Sequence, residues 1–326
     1  MCAIKNNMFT YIGNVLLKIS RIPRRIIVSL LYYCIAYRRR RLSCFDFMKL
    51  SQPFDVPPLL SYPSNRFYGI NKAVKRKLHK RFLSLDIVIE HGVYFSNSLV
   101  DFELRDFCRF PFVITMGVQR EFFLNKNGYN ALSIGPYIRY VDFYSSKEGL
   151  ASMKRNLGKT LLVFPSHSIE GVNSVFNEEA FVNEIKKYAV SFDTILICMY
   201  WKDILDNRYQ RYLDYGFKIV TAGHRSDPSF LSRLKDLIYL ADMTMSNNLG
   251  THLGYCISEH KPHYLFSQEC TYSGELVEQE NQYKDLDVYN KRLLQFKKTF
   301  GTFSNNITSK QLELVRYYWG YFDNTF

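Results

Sequence analysis

The chain has 326 residues, a net charge of +13, 47% hydrophobic side chains and seven cysteines. This excludes a disordered chain, and the length suits two domains better than one core. The cysteines (Cys2, Cys34, Cys44, Cys108, Cys198, Cys256, Cys270) are odd in number, scattered and without a C-x-x-C pair. That argues against a disulfide framework or a zinc site and fits a reducing cytoplasm.

The charge is unevenly placed. Residues 1–81 hold 17 Lys and Arg against only Asp46 and Asp55, while the rest of the chain balances to −2. Something anionic is therefore expected to meet the N-terminal region. Leu16–Arg41 reads LLKISRIPRRIIVSLLYYCIAYRRRR, and its longest uncharged run, Ile26–Tyr37, has twelve residues. A spanning helix needs about 20, and Arg38–Arg41 stand where a signal peptide would be cleaved. A helix lying in a membrane interface fits better: Ile26, Ile27, Leu30, Leu31 and Cys34 share a face, flanked by Arg24, Arg25, Arg38, Arg39, Arg40 and Arg41. These arginines are expected to contact an anionic membrane surface. Nothing matches a base-reading or stacking module, so no nucleic acid is expected. An ordinary core helix with a solvated Arg end is the plainer alternative. A second basic helix over Asn71–Phe82 would extend the same face.

Beyond the Pro-rich link Ser51–Ser64, short apolar runs at Leu85–Ile89, Phe112–Thr115 and Ala131–Ile134 predict buried strands. The first ends in Glu90-His91-Gly92, polar residues where α/β enzymes place chemistry. Lys147–Gly158 predicts helix and linker. From Thr160 the alternation is cleaner. Strands at Thr160–Phe164, Thr194–Tyr200, Phe217–Thr221, Met243–Ser246 and after Pro262 enclose helices at Glu178–Phe192, Asp203–Tyr215, Pro228–Ala241 and Asn247–His260. That is a Rossmann-like domain over Thr160–Phe266. Asp227 is expected to cap the third helix, with Pro228 at its first position. Ser267–Asp287 reads as a surface excursion, and helices near Tyr289–Phe300 and Ser309–Phe322 close the chain.

Three strand ends share one chemistry. Ser166, His167 and Ser168, then Gly223, His224 and Arg225, then Ser246, Asn247, Asn248, Gly250, Thr251 and His252 offer hydroxyls, imidazoles, backbone N–H groups and one guanidinium. That inventory suits a phosphate-bearing ligand at a helix N-terminus, with Gly250 allowing close approach to the backbone. Each group could equally be a simple strand-to-helix turn. No G-x-G-x-x-G, P-loop or G-x-S-x-G motif is present. His167 and His224 lack a carboxylate or Cys at ligand spacing, so no metal site is expected.

The segments FPSHS (Phe164–Ser168), AGHRSDPSFLSRLKDLIYLADM (Ala222–Met243) and SNNLGTHLGYCISEHKP (Ser246–Pro262) resemble the donor domain of GT-B glycosyltransferases. Transferases of bacterial surface-polysaccharide synthesis, such as O-antigen and capsule clusters, are the nearest type. The resemblance covers about a third of the chain. It implies an α/β fold of two Rossmann-like domains facing a cleft, preceded by the basic amphipathic helix. The implied divisions are a membrane-proximal segment (1–50), an acceptor-side α/β domain (51–158), a sugar-nucleotide domain (159–270) and a helical extension (271–326). The donor-side residues named above would bind a nucleotide-sugar. A base from the first domain, Glu90 or His91, would act on a lipid-linked glycan acceptor. No acidic residue stands in SNNLGTHLGY as in retaining members, which favours an inverting, metal-independent reaction without a cofactor. The implied place is the cytoplasmic face of the inner membrane, as a peripheral protein. Gly223-His224-Arg225 also resembles sugar-nucleotide 2-epimerases. An epimerase, a polyol-phosphate transferase and a non-catalytic membrane scaffold are the alternatives.

Overall fold

The computed structural model describes residues 22–54, 63–80, 87–95, 112–275, 277 and 286–323. Two parallel sheets organise it. Strands β1 (Ile87–Ile89), β2 (Phe112–Thr115) and β3 (Ala131–Ser133) form the smaller sheet in sequential order. The larger sheet contains β4 (Thr160–Phe164), β6 (Thr194–Cys198), β7 (Lys218–Val220), β8 (Met243–Ser246) and β9 (His263–Leu265). Its order is β7-β6-β4-β8-β9, with every pair parallel. The chain leaves β4 in one direction for β6 and β7, then returns to β4's other edge for β8 and β9. The order therefore reverses between β4 and β8.

Alternation along each strand divides the apolar side chains between two layers. Leu161 and Val163 of β4, Ile195 and Ile197 of β6, and Met243 and Met245 of β8 point one way. They pack on Phe181, Val182 and Ile185 of helix α6 (Glu178–Ala189). Leu162, Phe164, Leu196, Val220 and Leu265 point the other way, onto α9 (Phe230–Leu240) and α10 (Thr251–Ser258). Helices on both faces explain why β4 is buried throughout.

Among the described residues the smaller sheet does not enclose a large core of its own. Ile89, Ile114 and Ile134 join the same apolar cluster as Leu162, Leu253 and Trp319, and a small satellite gathers around Val88, Val113 and Leu124. Three short strands bury too little area to stand alone. The link is made by α11 (Leu286–Phe300) and α12 (Ser309–Trp319), the latter opened by a Thr308–Gln311 capping box. The Trp319 ring lies on Gly254 of α10, where a Cβ would be 2.2 Å from it. Gly320, at φ +86°, then slots against the Met116 carbonyl and Gly135 of the smaller sheet.

The N-terminal helix α1 (Ile22–Arg39) forms where expected. Ile26, Ile27, Leu30, Leu31, Tyr33 and Tyr37 are exposed, while Tyr32 and Ala36 are buried. The chain after it is integral to the fold. Arg39 is 6% exposed, donates to the Leu50 carbonyl at 3.0 Å and to that of Gln52, and stands 3.9 Å from Asp227. Thr221 N–H and His224 N–H donate to the carbonyls of Cys44 and Leu50 at 3.0 and 2.9 Å, lacing residues 44–50 along the large sheet. Arg39 is thus a structural anchor, contrary to its expected membrane role. Among the described residues no helix is long and apolar enough to cross a membrane.

Four expectations are corrected. The helix over Asp203–Tyr215 divides into α7 (Trp201–Leu205) and α8 (Gln210–Asp214), because Asn207 is left-handed at φ +58°. Helix α9 starts at Phe230. Asp227 takes the Ser229 N–H at 2.9 Å and pairs with buried Arg233 instead of being the terminal residue. The excursion after Ser267 holds a strand, β10 (Thr271–Ser273), antiparallel to β5 (Asn173–Val175). The second basic helix, α3 (Ile70–Lys77), stops earlier than expected, and residues 81–82 lie outside the described residues.

Replacing Gly254 by Ala should push Trp319 off α10. Overpacking of a tight core costs about 1–3 kcal/mol, so the midpoint in urea should fall with little change in slope. An unchanged midpoint would show that this contact is not close.

Candidate functional site

Parallel α/β sheets collect ligands outside the carboxyl ends of their strands, at the point where strand order reverses. In this protein that point lies between β4 and β8, and a cavity of about 400 Å³ opens there. Its floor is Phe164–His167 after β4, Cys198–Tyr200 after β6, Ala222 after β7 and Asn248–His252 after β8. Phe230, Leu231 and Leu234 of α9 form one wall, and Ile169, Val172 and Tyr272 form a rim braced by the β5–β10 pair. The smaller sheet closes the opposite side: His91 and Gly92, directly after β1, line the same cavity. The Val93 N–H donates to Thr251 Oγ1 at 3.1 Å, joining the two sheets across the site.

Half of the expected residues meet here: His91, Ser166, His167, Asn248, Gly250, Thr251 and His252. Ser166 Oγ is 2.7 Å from Ser174 Oγ, and Asn248 Nδ2 donates to the Tyr272 hydroxyl at 3.0 Å. The His167 ring lies 4.4 Å from that of Tyr200. His252 stacks on Phe164 with centroids 4.8 Å apart, and its buried Nε2 has no partner among the described residues. Burial, aided by nearby His167, pushes the His252 pKa down to about 3, so the ring is neutral near pH 7. His91 Nδ1 is likewise buried without a partner, its ring beside Phe67 and Tyr68. Helix α10 has no side-chain cap at its start; Leu253 N–H donates to the Gly250 carbonyl at 3.2 Å, which leaves the N–H groups of Thr251 and His252 for an acceptor from the cavity. Gly250 is extended at φ −157°, a conformation open to any residue. Its requirement is spatial: a Cβ there would lie 2.9 Å from the His252 ring.

The other seven are drawn into the scaffold. Glu90 is 1% exposed; its Oε1 receives Arg120 Nε at 2.8 Å and its Oε2 the Thr115 hydroxyl at 2.8 Å. A carboxylate held in a buried ion pair is poorly placed as a base, and His91, one residue later, faces the cavity instead. Ser168 N–H donates to Asp203, and Asp203 pairs with Arg208, which also holds Glu178. Gly223 lies against Arg233, and a Cβ would be 3.0 Å from its guanidinium. His224 sits between Phe54 and Trp201, where burial lowers its pKa to about 3. Ser246 Oγ bonds the Asn248 carbonyl at 3.0 Å and His263 Nε2 at 2.9 Å. Asn247 accepts from Ser166 N–H at 2.6 Å and donates to Gln268 at 3.0 Å. Arg225 is not among the lining residues and pairs with Glu170.

Tyr68, Tyr200, Tyr255 and Tyr272 line the cavity but carry no signal in the motifs. Tyr200 follows the end of β6 by two residues, so a strand-end signal could have found it. Tyr68 and Tyr272 come from segments without sheet periodicity. No charged side chain lines the cavity among the described residues.

Replacing Glu90 with Gln would remove the buried carboxylate charge that pairs with Arg120 at 2.7 Å. Breaking a buried pair costs about 3–5 kcal/mol, so a fall in thermal midpoint is expected. A variant as stable as the native chain would return Glu90 to the list of chemical candidates.

The protein resembles two solved structures distantly. One is the wall teichoic acid polymerase TagF: 9% identity over 66% of this chain and 54% of that one, with a TM-score of 0.34. The other is MnaA of S. aureus, solved with UDP: 12% identity over 83% of this chain and 80% of that one, with a TM-score of 0.38. The chain spans about half of the TagF structure (54%). No family model and no curated protein matches the sequence. What the chain itself shows is a mixed α/β fold with two parallel sheets, and one cavity lined after β4, β6, β7 and β8 of the larger sheet and after β1 of the smaller.

Proposed function

We propose that the protein is a glycosyltransferase that moves a sugar from a nucleotide-sugar donor to a lipid-linked or oligosaccharide acceptor in cell-surface polysaccharide synthesis. One observation carries this reading: the cavity sits at the switch point of the larger sheet, and the β1 strand end of the smaller sheet faces it with His91. The donor diphosphate would lie along the start of α10, where open N–H groups and the helix dipole favour negative charge. Ser166, Asn248 and Thr251 supply side-chain hydrogen bonds on that side. His91 would take the proton of the acceptor hydroxyl as its oxygen attacks the anomeric carbon. The bond from that carbon to the diphosphate oxygen breaks, and configuration inverts. Among the described residues no Asp or Glu lines the cavity. That supports transfer over epimerisation, which needs further acid and base groups around the sugar.

A thermal-shift series with UDP, GDP, CDP and dTDP tests the donor site. A ligand at about 100 times its dissociation constant adds roughly 2.7 kcal/mol of stability. One nucleotide should stand out, and His91→Asn should retain that shift while transfer falls by about a hundredfold or more. A flat response to all four nucleotides, or full turnover by His91→Asn, would refute the reading.

The exposed apolar stripe of α1, followed by exposed Arg38, Arg40 and Arg41, supports peripheral attachment to an anionic membrane face. Each basic side chain near such a surface adds about 1 kcal/mol. The side chains of Arg24 and Arg25 lie outside the described residues. The full chain should float with phosphatidylglycerol vesicles and not with phosphatidylcholine ones, and Leu30→Asp with Leu31→Asp should abolish flotation. Unchanged flotation of that variant would rule out α1 as the contact.

A further inference from the structure

A cavity for a diphosphate needs a countercharge, yet among the described residues no Lys or Arg lines this one. Arg225, in the turn that follows β7 and next to His224, is a cation held against residues of the cavity wall. Its guanidinium lies over Phe67, 5.1 Å from the ring centroid, and 5.9 Å from that of Trp201. Its carbonyl accepts the Tyr68 N–H at 2.6 Å, fixing it beside a residue that lines the cavity. Tyr68 and Tyr200, whose hydroxyls are 3.0 Å apart, both line the cavity. Burial raises the pKa of each, and the positive charge of Arg225 counteracts part of that rise in both, so its field reaches the cavity wall.

Arg225 is taken by Glu170. Glu170 comes from the loop after β4, and its neighbour Ile169 forms the rim of the cavity. Its side chain is 67% exposed, against 30% for Arg225. An ion pair so open to water is weak and salt-sensitive, and a doubly charged phosphate competes well against a single carboxylate. The two rings hold the guanidinium in place whichever anion it faces.

We infer that Arg225, with the Tyr68 and Tyr200 hydroxyls, forms a phosphate subsite beside the cavity, and that the Glu170 carboxylate occupies it in the free protein as an internal competitor. The ligand class is a phosphate or diphosphate group, and this rests on reading the cavity as a nucleotide-sugar site. On binding, the ligand phosphate takes over the guanidinium and Glu170 turns to solvent. The rim loop carrying Ile169 is then released from Arg225, which couples occupancy of the site to the position of its edge.

Calorimetric titration of the full chain decides the matter. The probes are inorganic pyrophosphate and UDP, GDP, CDP and dTDP, each nucleotide set against its nucleoside. Glu170→Gln should tighten diphosphate binding by about threefold or more, as expected on removing a weak exposed pair, and leave nucleoside binding unchanged. Arg225→Gln should weaken diphosphate binding by about tenfold, and the double variant should match Arg225→Gln alone. Diphosphate binding that Glu170→Gln leaves unchanged or weakens would overturn the subsite while the cavity reading stands. An equal gain for the nucleosides would overturn it too, since the effect would not concern phosphate. No diphosphate binding by the native chain or by Glu170→Gln would sink both readings.

Discussion

The Trp319 ring on Gly254 is the contact on which the site depends. It reaches both halves at once: the indole N–H donates to the Thr251 carbonyl at 3.0 Å, and the ring lies 5.4 Å from Phe95, just beyond His91. Phe296 of α11 backs it at 5.9 Å. The residue that holds the start of α10 therefore also holds the loop leaving β1. With only three short strands, the smaller sheet takes its orientation from this shared core, and His91 faces the cavity as a consequence.

Charge is divided by depth. Inside, the charged groups are consumed in pairs: Glu90 with Arg120, Asp227 with Arg233 and Arg39, Arg208 with Asp203 and Glu178. Such pairs fix loops and helix ends, and their desolvation leaves little net stability beyond that geometry. The cavity they surround is lined by aromatic rings, hydroxyls, an amide and imidazoles, with no Asp, Glu, Lys or Arg among the described residues. As proposed above, an anion in this cavity would rely on backbone dipoles and on Arg225. The exposed cations instead gather around α1 and α3, beside an apolar stripe that the protein leaves uncovered.

How much was legible followed from how local the signal was. The larger sheet was readable because runs such as TLLVF and TILIC are buried on both faces, and their lengths and flanking helices leave little choice. Strand ends were readable for the same reason, so seven of the expected residues do line the cavity. The others failed on long-range partners. Glu90 is one residue from His91, and nothing local says that Arg120 of helix α4 (Val118–Lys126) will claim it. His224 and Arg225 look alike as strand-end polar groups; packing by Phe54 and Trp201 buries the first and leaves the second partly exposed.

The sequence by itself determined the class of fold, the parallel strands from Thr160 onward and the uneven charge. Each is written in the periodicity or composition of a continuous stretch. Only the tertiary structure decided which polar groups face the cavity, that Arg39 anchors the fold, and that both sheets share one core. Those outcomes depend on contacts between residues far apart in the chain, such as Arg39 with Asp227 and Trp319 with Gly254. The energy of such a pair exists only once both partners have been brought together, so neither partner's local sequence carries it.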